Sequence, residues 1–314
     1  MDRRHLPFAA AVLAWLLVGL FGSRHAVDLG NFAAISAIAG LGVGMLLGQC
    51  GIVNLAQGLF FGIGAYASAY LTVNAGAPVL VGIGCGLALS AALALALGWP
   101  ILKLSGFFLA LATLAIGAIG TVLFFEWDGI TGGTLGIGGI PRLSVAGWSL
   151  DTPQRFHWLI WPLAALLMAL CANLVDSRPG LALRAMRDAP AAAQVMAIEL
   201  RRLRTAMFVL SAVLGALAGS LFAHYVSFVS VQSFGIERSI ALLLIPVLAG
   251  ARSVWGVTAG ALLVTVLPEL LSRFGDVHQM LFGLALVLVV TLVPEGLAGA
   301  ALSWVRKARK GQVA

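Results

Sequence analysis

Long apolar runs separated by short polar stretches dominate the chain from Leu6 onward. A helix rises about 1.5 Å per residue and the hydrocarbon core of a bilayer is about 30 Å thick, so a membrane-spanning helix needs about 20 apolar residues. Eight runs of roughly this length predict spanning helices. They are Leu6 to Gly22, Leu29 to Gly48, Leu55 to Val73, Val79 to Gly98, Leu104 to Phe125, Trp158 to Val175, Thr205 to Tyr225 and His278 to Val293.

Two further apolar runs, Ser239 to Gly250 and Val254 to Leu267, are shorter and flank a polar stretch that contains Arg252 and Ser253. Each is too short for an upright crossing of the hydrocarbon core. They form either two compressed spans or one re-entrant pair at 239–267, and both alternatives keep the number of crossings even. The sequence therefore predicts an all-α polytopic membrane protein with eight to ten transmembrane helices.

The composition agrees with this fold class. Of the 314 residues, 61% are hydrophobic and 10% are charged, and the mean hydropathy is +1.03. Soluble domains carry about 25% charged residues. The net charge of +7 arises from scattered loop residues, which excludes a basic face for nucleic acid.

The basic residues predict the orientation of the chain. With the N-terminus in the cytoplasm, 14 of the 19 Lys and Arg residues lie inside, and only Arg24, Arg142, Arg155, Arg238 and Arg273 lie outside. The positive-inside rule therefore predicts N-in and C-in. We expect one transmembrane domain over 1–314, a cytoplasmic loop at 176–204 and an external Gly-rich loop at 126–157.

Glycines recur at four-residue spacing in several runs, which predicts faces where helices approach closely. The same small side chains would suit a permeation path, and spacing alone does not separate the two roles. These glycines are Gly40, Gly44 and Gly48, Gly58 and Gly62, Gly82 and Gly86, Gly215 and Gly219, and Gly256 and Gly260.

The polar residues argue against an enzyme and against a proton-coupled carrier. The apolar runs contain no paired acids and no central Lys, and intramembrane proton transfer requires such groups. The sequence contains no Gly-Lys-Ser or Gly-Lys-Thr of a phosphate-binding loop,. The three cysteines show neither paired spacing nor His partners,. We therefore expect no metal and no cofactor bound by this chain, and any ATP hydrolysis to occur in another subunit.

Uncharged polar residues at the start of the third run are candidates for a translocation path. A buried amide needs a hydrogen-bond partner in hydrocarbon. Asn54 and Gln57 either line the path or bridge helices, and the flanking Gly51 and Gly58 would permit a broken helix that presents backbone groups to a polar solute. The candidate path residues are Asn54, Gln57, Gly58 and Thr113.

The internal loop predicts two short helices. Ser177-Arg178-Pro179 and Asp188-Ala189-Pro190 each resemble a helix start, because proline is tolerated in the first turn,. The second start opens a helix with small residues in its first turn. This helix either docks into a groove of a soluble partner or lies on lipid headgroups.

In three segments the chain resembles the membrane permease subunits of bacterial ABC importers for branched-chain amino acids, of the LivM type. Residues 51–66 read GIVNLAQGLFFGIGAY and are similar to N-L-G-Q-G-x-F-x-G-I-G-A-Y of that family. Residues 131–142, TGGTLGIGGIPR, resemble its external Gly-rich loop. Residues 180–187, GLALRAMR, with 190–193, PAAA, resemble its ATPase-contacting stretch.

The resemblance implies a bacterial inner-membrane importer built from a second, LivH-type permease chain, two cytoplasmic ATPases and an external solute-binding protein. It also implies an ATPase-coupling role for a set of loop residues. They are Arg184, Arg187, Asp188, Pro190, Ala191, Ala192, Val195, Met196 and Ile198.

Departures from the family pattern affect the substrate and the coupling detail. Ala197 replaces a usual Gly, Leu181 a frequent Arg, and Ser105 to Phe108 a common Arg-Gly-x-Tyr. Relatives of this type also carry urea, short amides and other small polar solutes, so these remain alternatives. A stand-alone secondary carrier or channel is the alternative from another class, and the lack of buried charge argues against it.

Overall fold

The computed structural model describes residues 22–145, 148–251 and 253–272, with Gly19, Met280, Gly283 and Leu284. The predicted first and last spans, Leu6 to Gly22 and His278 to Val293, lie almost entirely outside the described residues, as do Arg252 and Arg273. The described part is nearly all helical. Its helices are α1 Arg24–Met45, α2 Gln57–Val73, α3 Val79–Ile101, α4 Phe107–Glu126, α5 Asp128–Thr131, α6 Pro153–Asp176, α7 Arg178–Asp188, α8 Pro190–Val195, α9 Leu200–Val226, α10 Ile236–Ala249 and α11 Gly256–Leu271.

Six helical segments in the described part are long and apolar enough to cross a membrane. They are Arg24–Cys50, Val79–Ile101, Phe107–Glu126, Pro153–Asp176, Leu200–Val226 and Val231–Ala249, and α11 is a shorter apolar helix. Each lies where the hydropathy pattern placed a run. The all-α, polytopic class is therefore confirmed for the described residues.

Local sequence explains several helix boundaries. Ser23 and Thr152 cap α1 and α6, because each hydroxyl accepts a hydrogen bond from a first-turn N–H, at 3.3 Å in both helices,. The two proline-marked starts of the internal loop are confirmed as α7 and α8,. The predicted loop at 176–204 therefore contains two short helices.

Helices α1 and α9 form the centre of the fold, and α2, α3 and α9 pack against one another. Glycines make these contacts close, and one of them, Gly219, belongs to the predicted four-residue pairs, whereas Gly64 lies outside them. A Cβ at Gly64 would lie 2.0 Å from the Ala216 carbonyl oxygen, and one at Gly219 would lie 1.8 Å from that of Phe61. Packing here therefore joins backbone to backbone without side chains between.

The two shorter runs form separate helices, α10 and α11, that lie against each other and against α1. Helix α11 contacts Gly44 of α1 near its first turn, and Glu269 near its end pairs with His25 in the first turn of α1. This helix therefore follows α1 over most of the length of α1.

Four two-residue strands lie in loops of the described part. Strand β1 (Ile137–Gly138) pairs antiparallel with β4 (Phe228–Val229), and β2 (Ser144–Val145) pairs with β3 (Trp148–Ser149). The first pair joins the Gly-rich loop to the segment between α9 and α10. A 3₁₀ turn, Val231–Phe234, leads from this segment to α10.

Candidate translocation and coupling sites

A break in the helical structure lies between α1 and α2. Helix α1 continues as a π-helical turn, Leu46–Cys50, which ends at Gly51 with a left-handed φ of 68°. Residues 51–56 have no regular structure, and α2 begins at Gln57. Glycine suits this position because a side chain at such a φ is strained. The helical structure is therefore interrupted at the place where Gly51 and Gly58 would permit a break.

Gln57 joins three elements at the start of α2. Its Nε2 donates to the carbonyl oxygens of Ala39 in α1, at 3.2 Å, and Ser211 in α9, at 3.0 Å. Its Oε1 accepts from Ser211 Oγ at 3.0 Å and from Asn54 Nδ2 at 3.2 Å. The side chain is fully buried, and both donors and both acceptor positions are used,. In this conformation Gln57 therefore bridges helices.

The other three candidate path residues take part in hydrogen bonds to backbone N–H groups around the break. Asn54 Oδ1 accepts from the Ala56 N–H at 3.0 Å, and Thr113 Oγ1 of α4 accepts from the Leu55 N–H at 3.1 Å. The Gly58 N–H donates to Ser239 Oγ of α10 at 2.8 Å. Non-helical backbone inside a membrane protein requires such partners. The structure thus brings all four candidates together around one break.

The starts of α2 and α10 meet at this place. A Cβ on Gly58 would lie 2.7 to 2.9 Å from Ser239 Oγ and from the carbonyl oxygens of Phe234 and Gly235. Ala39 and Ser211, the partners of Gln57, lie near the middle of two 27-residue segments, Arg24–Cys50 and Leu200–Val226. Helices α2 and α10 therefore both begin at a level near the midpoints of the two long segments.

The predicted coupling residues divide into a contact set and an exposed set. Arg187 of α7 donates a hydrogen bond to the Gly48 carbonyl oxygen in the π-helical turn. Arg184, Arg187 and Asp188 line a cavity of about 200 Å³ with Gly48 and Gln49. This set connects the internal loop directly to the element that precedes the break.

The exposed set lies on and just after α8. Pro190, Ala191 and Ala192 are exposed, and the side chains of Val195 and Met196 are exposed to 86% and 76%. Such apolar exposure next to small residues suits a partner surface. Ile198, also predicted, is half-buried, and its N–H donates to the Ala193 carbonyl oxygen at 3.1 Å.

Ala197 has a left-handed φ of 57°, where the resemblance implied a glycine. A left-handed conformation is strained for alanine and free for glycine. This backbone conformation therefore suits the glycine that the resemblance implies at this position.

The distribution of basic residues assigned Arg238 to the external side, directly before the predicted run at 239–250, and the structure places it within a helix. The residue lies in the first turn of α10, and its guanidinium carbon lies 5.0 Å from the Phe61 ring centroid and 5.8 Å from that of Phe222. Sequence reasoning also missed Ser211 and Ser239 as partners of the break. Arg238 directly precedes the predicted run, which was the one local signal of its position.

Comparison with known proteins gives consistent matches. Residues 26–290 match a family described as "Branched-chain amino acid transport system / permease component". The chain is 32% identical over 300 residues to the high-affinity branched-chain amino acid transport system permease protein LivM of Escherichia coli K12, covering 88% of this chain and 70% of that protein. It is 31% identical to LivM of Salmonella typhimurium LT2, with the same coverage. It is 27% identical to LivH of the same Salmonella strain, covering 88% of this chain and 94% of that protein. No solved structure matches.

Proposed function

The chain belongs to the branched-chain amino acid transport permease family, and on this premise we propose that it is the LivM-type permease subunit of an ATP-driven, binding-protein-dependent importer. The observation that carries the proposal is the family match over residues 26–290. The chain is a multi-pass protein of the inner membrane. Its proposed solutes are branched-chain amino acids.

The partners in this proposal are a LivH-type permease chain, two cytoplasmic ATPase subunits and an external binding protein. Similarity to both LivM and LivH proteins supports a pair of related permeases. Large apolar side chains exposed on α3 and α4, such as Leu80, Leu89, Ile119 and Val122, are available for lipid or the second permease. ATP binds and is hydrolysed on the ATPase subunits, and this chain binds no cofactor.

Coupling runs through the internal loop in this proposal. ATPase movement acts on α8, where Ala191, Ala192, Val195 and Met196 present a small apolar surface. The movement of α8 displaces α7, which directly precedes it in the chain. Arg187 of α7 then transmits this displacement to the π-helical turn through its hydrogen bond to the Gly48 carbonyl oxygen. Because residues 51–56 are not helical, the start of α2 can move without bending a continuous helix.

The path runs beside the break in this proposal. Neutral hydrogen bonds fix the non-helical backbone of the break. They are made by Asn54, Gln57, Gly58 and Thr113. Such bonds exchange at a cost of about 1 kcal/mol each, so the break can rearrange when ATP closes the ATPase pair. Broken helices near half depth serve polar solutes in other transporters.

The topology in this proposal has both termini in the cytoplasm, eight to ten crossings, and α10 and α11 as two spans. We expect single cysteines at Thr134 and Gln194, both exposed, to react with an impermeant thiol reagent from opposite sides, Thr134 from outside. The measurement is labelling of intact cells against opened vesicles, with Cys85 replaced because it is exposed. Labelling of both from one side would contradict the topology.

The function itself is tested by reconstitution. Liposomes that contain both permeases and the ATPases, supplied with the binding protein, should take up L-leucine in an ATP-dependent manner. Excess L-valine should compete, and urea or acetamide should not. Uptake of urea or acetamide without leucine uptake would replace the amino acid assignment by the small-amide alternative. Leucine uptake without ATP would favour a stand-alone carrier.

A further inference from the structure

A cavity of about 420 Å³ lies between α1, α9, α10 and α11. Its volume falls in the range of about 300–1,000 Å³ that small-molecule sites occupy. Leu29, Phe32 and Val264 contribute apolar walls. Arg238, Thr265 and Glu269 contribute polar groups, so the cavity combines a cation, an anion and an aliphatic surface.

Arg238 is the unusual member of this lining. Its side chain extends among aromatic rings, and the Phe61 and Phe222 faces stabilise the cation,. Within the described residues it makes no ion pair, and its Nε has no hydrogen-bond partner. A charge placed between transmembrane helices is costly and marks a functional site. The aromatic rings contact the face of the guanidinium group. The N–H groups at its edge can therefore donate to a carboxylate.

Glu269 lies at the end of α11, and its carboxylate oxygen is 3.4 Å from His25 Nε2. Its side chain is 46% exposed, which places it at the rim of the cavity. A carboxylate at this rim accepts hydrogen bonds from an ammonium group. The cavity therefore carries the two charges that complement a zwitterion.

We propose that this cavity binds a zwitterionic aliphatic amino acid during transport. The substrate carboxylate pairs with Arg238, the ammonium group is directed to Glu269, and the branched side chain lies against Leu29, Phe32 and Val264. This inference rests on the proposed function and assigns a binding site to it. Arg238 adjoins Ser239, which accepts the Gly58 N–H at the break, so occupancy of the cavity is connected to the start of α2.

Occupancy is tested by cysteine protection in the reconstituted complex. The Thr265→Cys variant is made with Cys50, Cys85 and Cys171 replaced by alanine, and its modification by a small methanethiosulfonate reagent is timed. Saturating L-leucine should slow modification by about fivefold or more, whereas L-leucinol, which lacks the carboxylate, should not, because the charge-assisted pair with Arg238 is absent. Equal rates with and without leucine would overturn the site.

Substitutions test the charge roles. Arg238→Met should lower leucine uptake by about tenfold or more, the effect of losing a charge-assisted hydrogen bond, and Arg238→Lys should restore part of it. Glu269→Gln should raise the KM for leucine. Arg155→Met is the matched control, since Arg155 is exposed and its guanidinium bonds the Ser149 carbonyl oxygen. That control should match wild type.

Complex yield and binding-protein-stimulated ATP hydrolysis separate binding from folding. We expect complex yield to remain in Arg238→Lys and Glu269→Gln, and both complex yield and ATP hydrolysis to remain in the Arg155→Met control. Normal leucine uptake by Arg238→Met would refute the site while the proposed function stands. Absence of leucine uptake by the wild-type complex would refute the function itself. If Arg238→Met does not assemble, the protection experiment with Thr265→Cys decides the question.

Discussion

We expect Ala192→Trp to lower ATP-driven uptake by about 30-fold or more, the effect of losing a contact of ~2 kcal/mol, with the chain still inserted. Ala192 is exposed on α8, whereas the next residue, Ala193, is buried against the chain itself. A tryptophan at 192 therefore leaves the fold of the loop intact. Its ring prevents α8 from seating in the proposed groove of the ATPase.

The measurement is leucine uptake together with the yield of co-purified ATPase. Ala75→Trp is the matched control, because Ala75 is exposed in the loop between α2 and α3 and makes no proposed contact with the ATPase. Normal uptake by Ala192→Trp with a complete complex would mean that α8 only lies on the lipid surface, where an indole is well accommodated.

The second large effect concerns the contact between α2 and α9. We expect Gly219→Ala to destabilise the chain by ~3 kcal/mol or more, because its Cβ would lie 1.8 Å from the Phe61 carbonyl oxygen. No side-chain rotation relieves an overlap with backbone, so the two helices must separate. Separation also weakens the nearby bond from Ser220 Oγ to the Gly64 carbonyl oxygen, at 2.8 Å.

Gly84→Ala provides the matched control in α3. A Cβ at Gly84 would have no heavy atom within 4 Å, so this change should be neutral or stabilise the helix by up to ~1 kcal/mol. Thermal unfolding of the chain in detergent compares the two variants. Equal midpoints would show that α2 and α9 do not approach as closely as described.

The candidate site was only partly predictable. The sequence permitted a helix break near Asn54 and Gln57, since Gly51 and Gly58 flank these two uncharged amides. It left open whether Gln57 bridges helices or lines the path. The structure assigns a bridge in this conformation, because two partners of Gln57, Ala39 and Ser211, lie 18 and 154 residues away. No local pattern specifies partners at such separations.

The position of Arg238 was also not predictable from local sequence. The positive-inside count assigned it to the external side because it lies between the predicted runs that end at Tyr225 and begin at Ser239,. The chain instead reaches α10 through the Val231–Phe234 turn, which packs its Phe234 ring against those of Phe61, Tyr66 and Phe124. These contacts place the start of α10 beside Gly58 and carry Arg238 inward.

Local sequence was enough to predict the all-α membrane class, the runs that become helices and the helix starts at Pro179 and Pro190. Hydropathy, capping and proline geometry act within a few residues, so they are visible without a fold. The folded bundle was needed to show which glycines touch backbone, where Gln57 and Gly58 find partners, and that Arg238 lines a cavity. Those features arise where helices that are far apart in the chain contact one another. Such contacts depend on packing across the whole bundle.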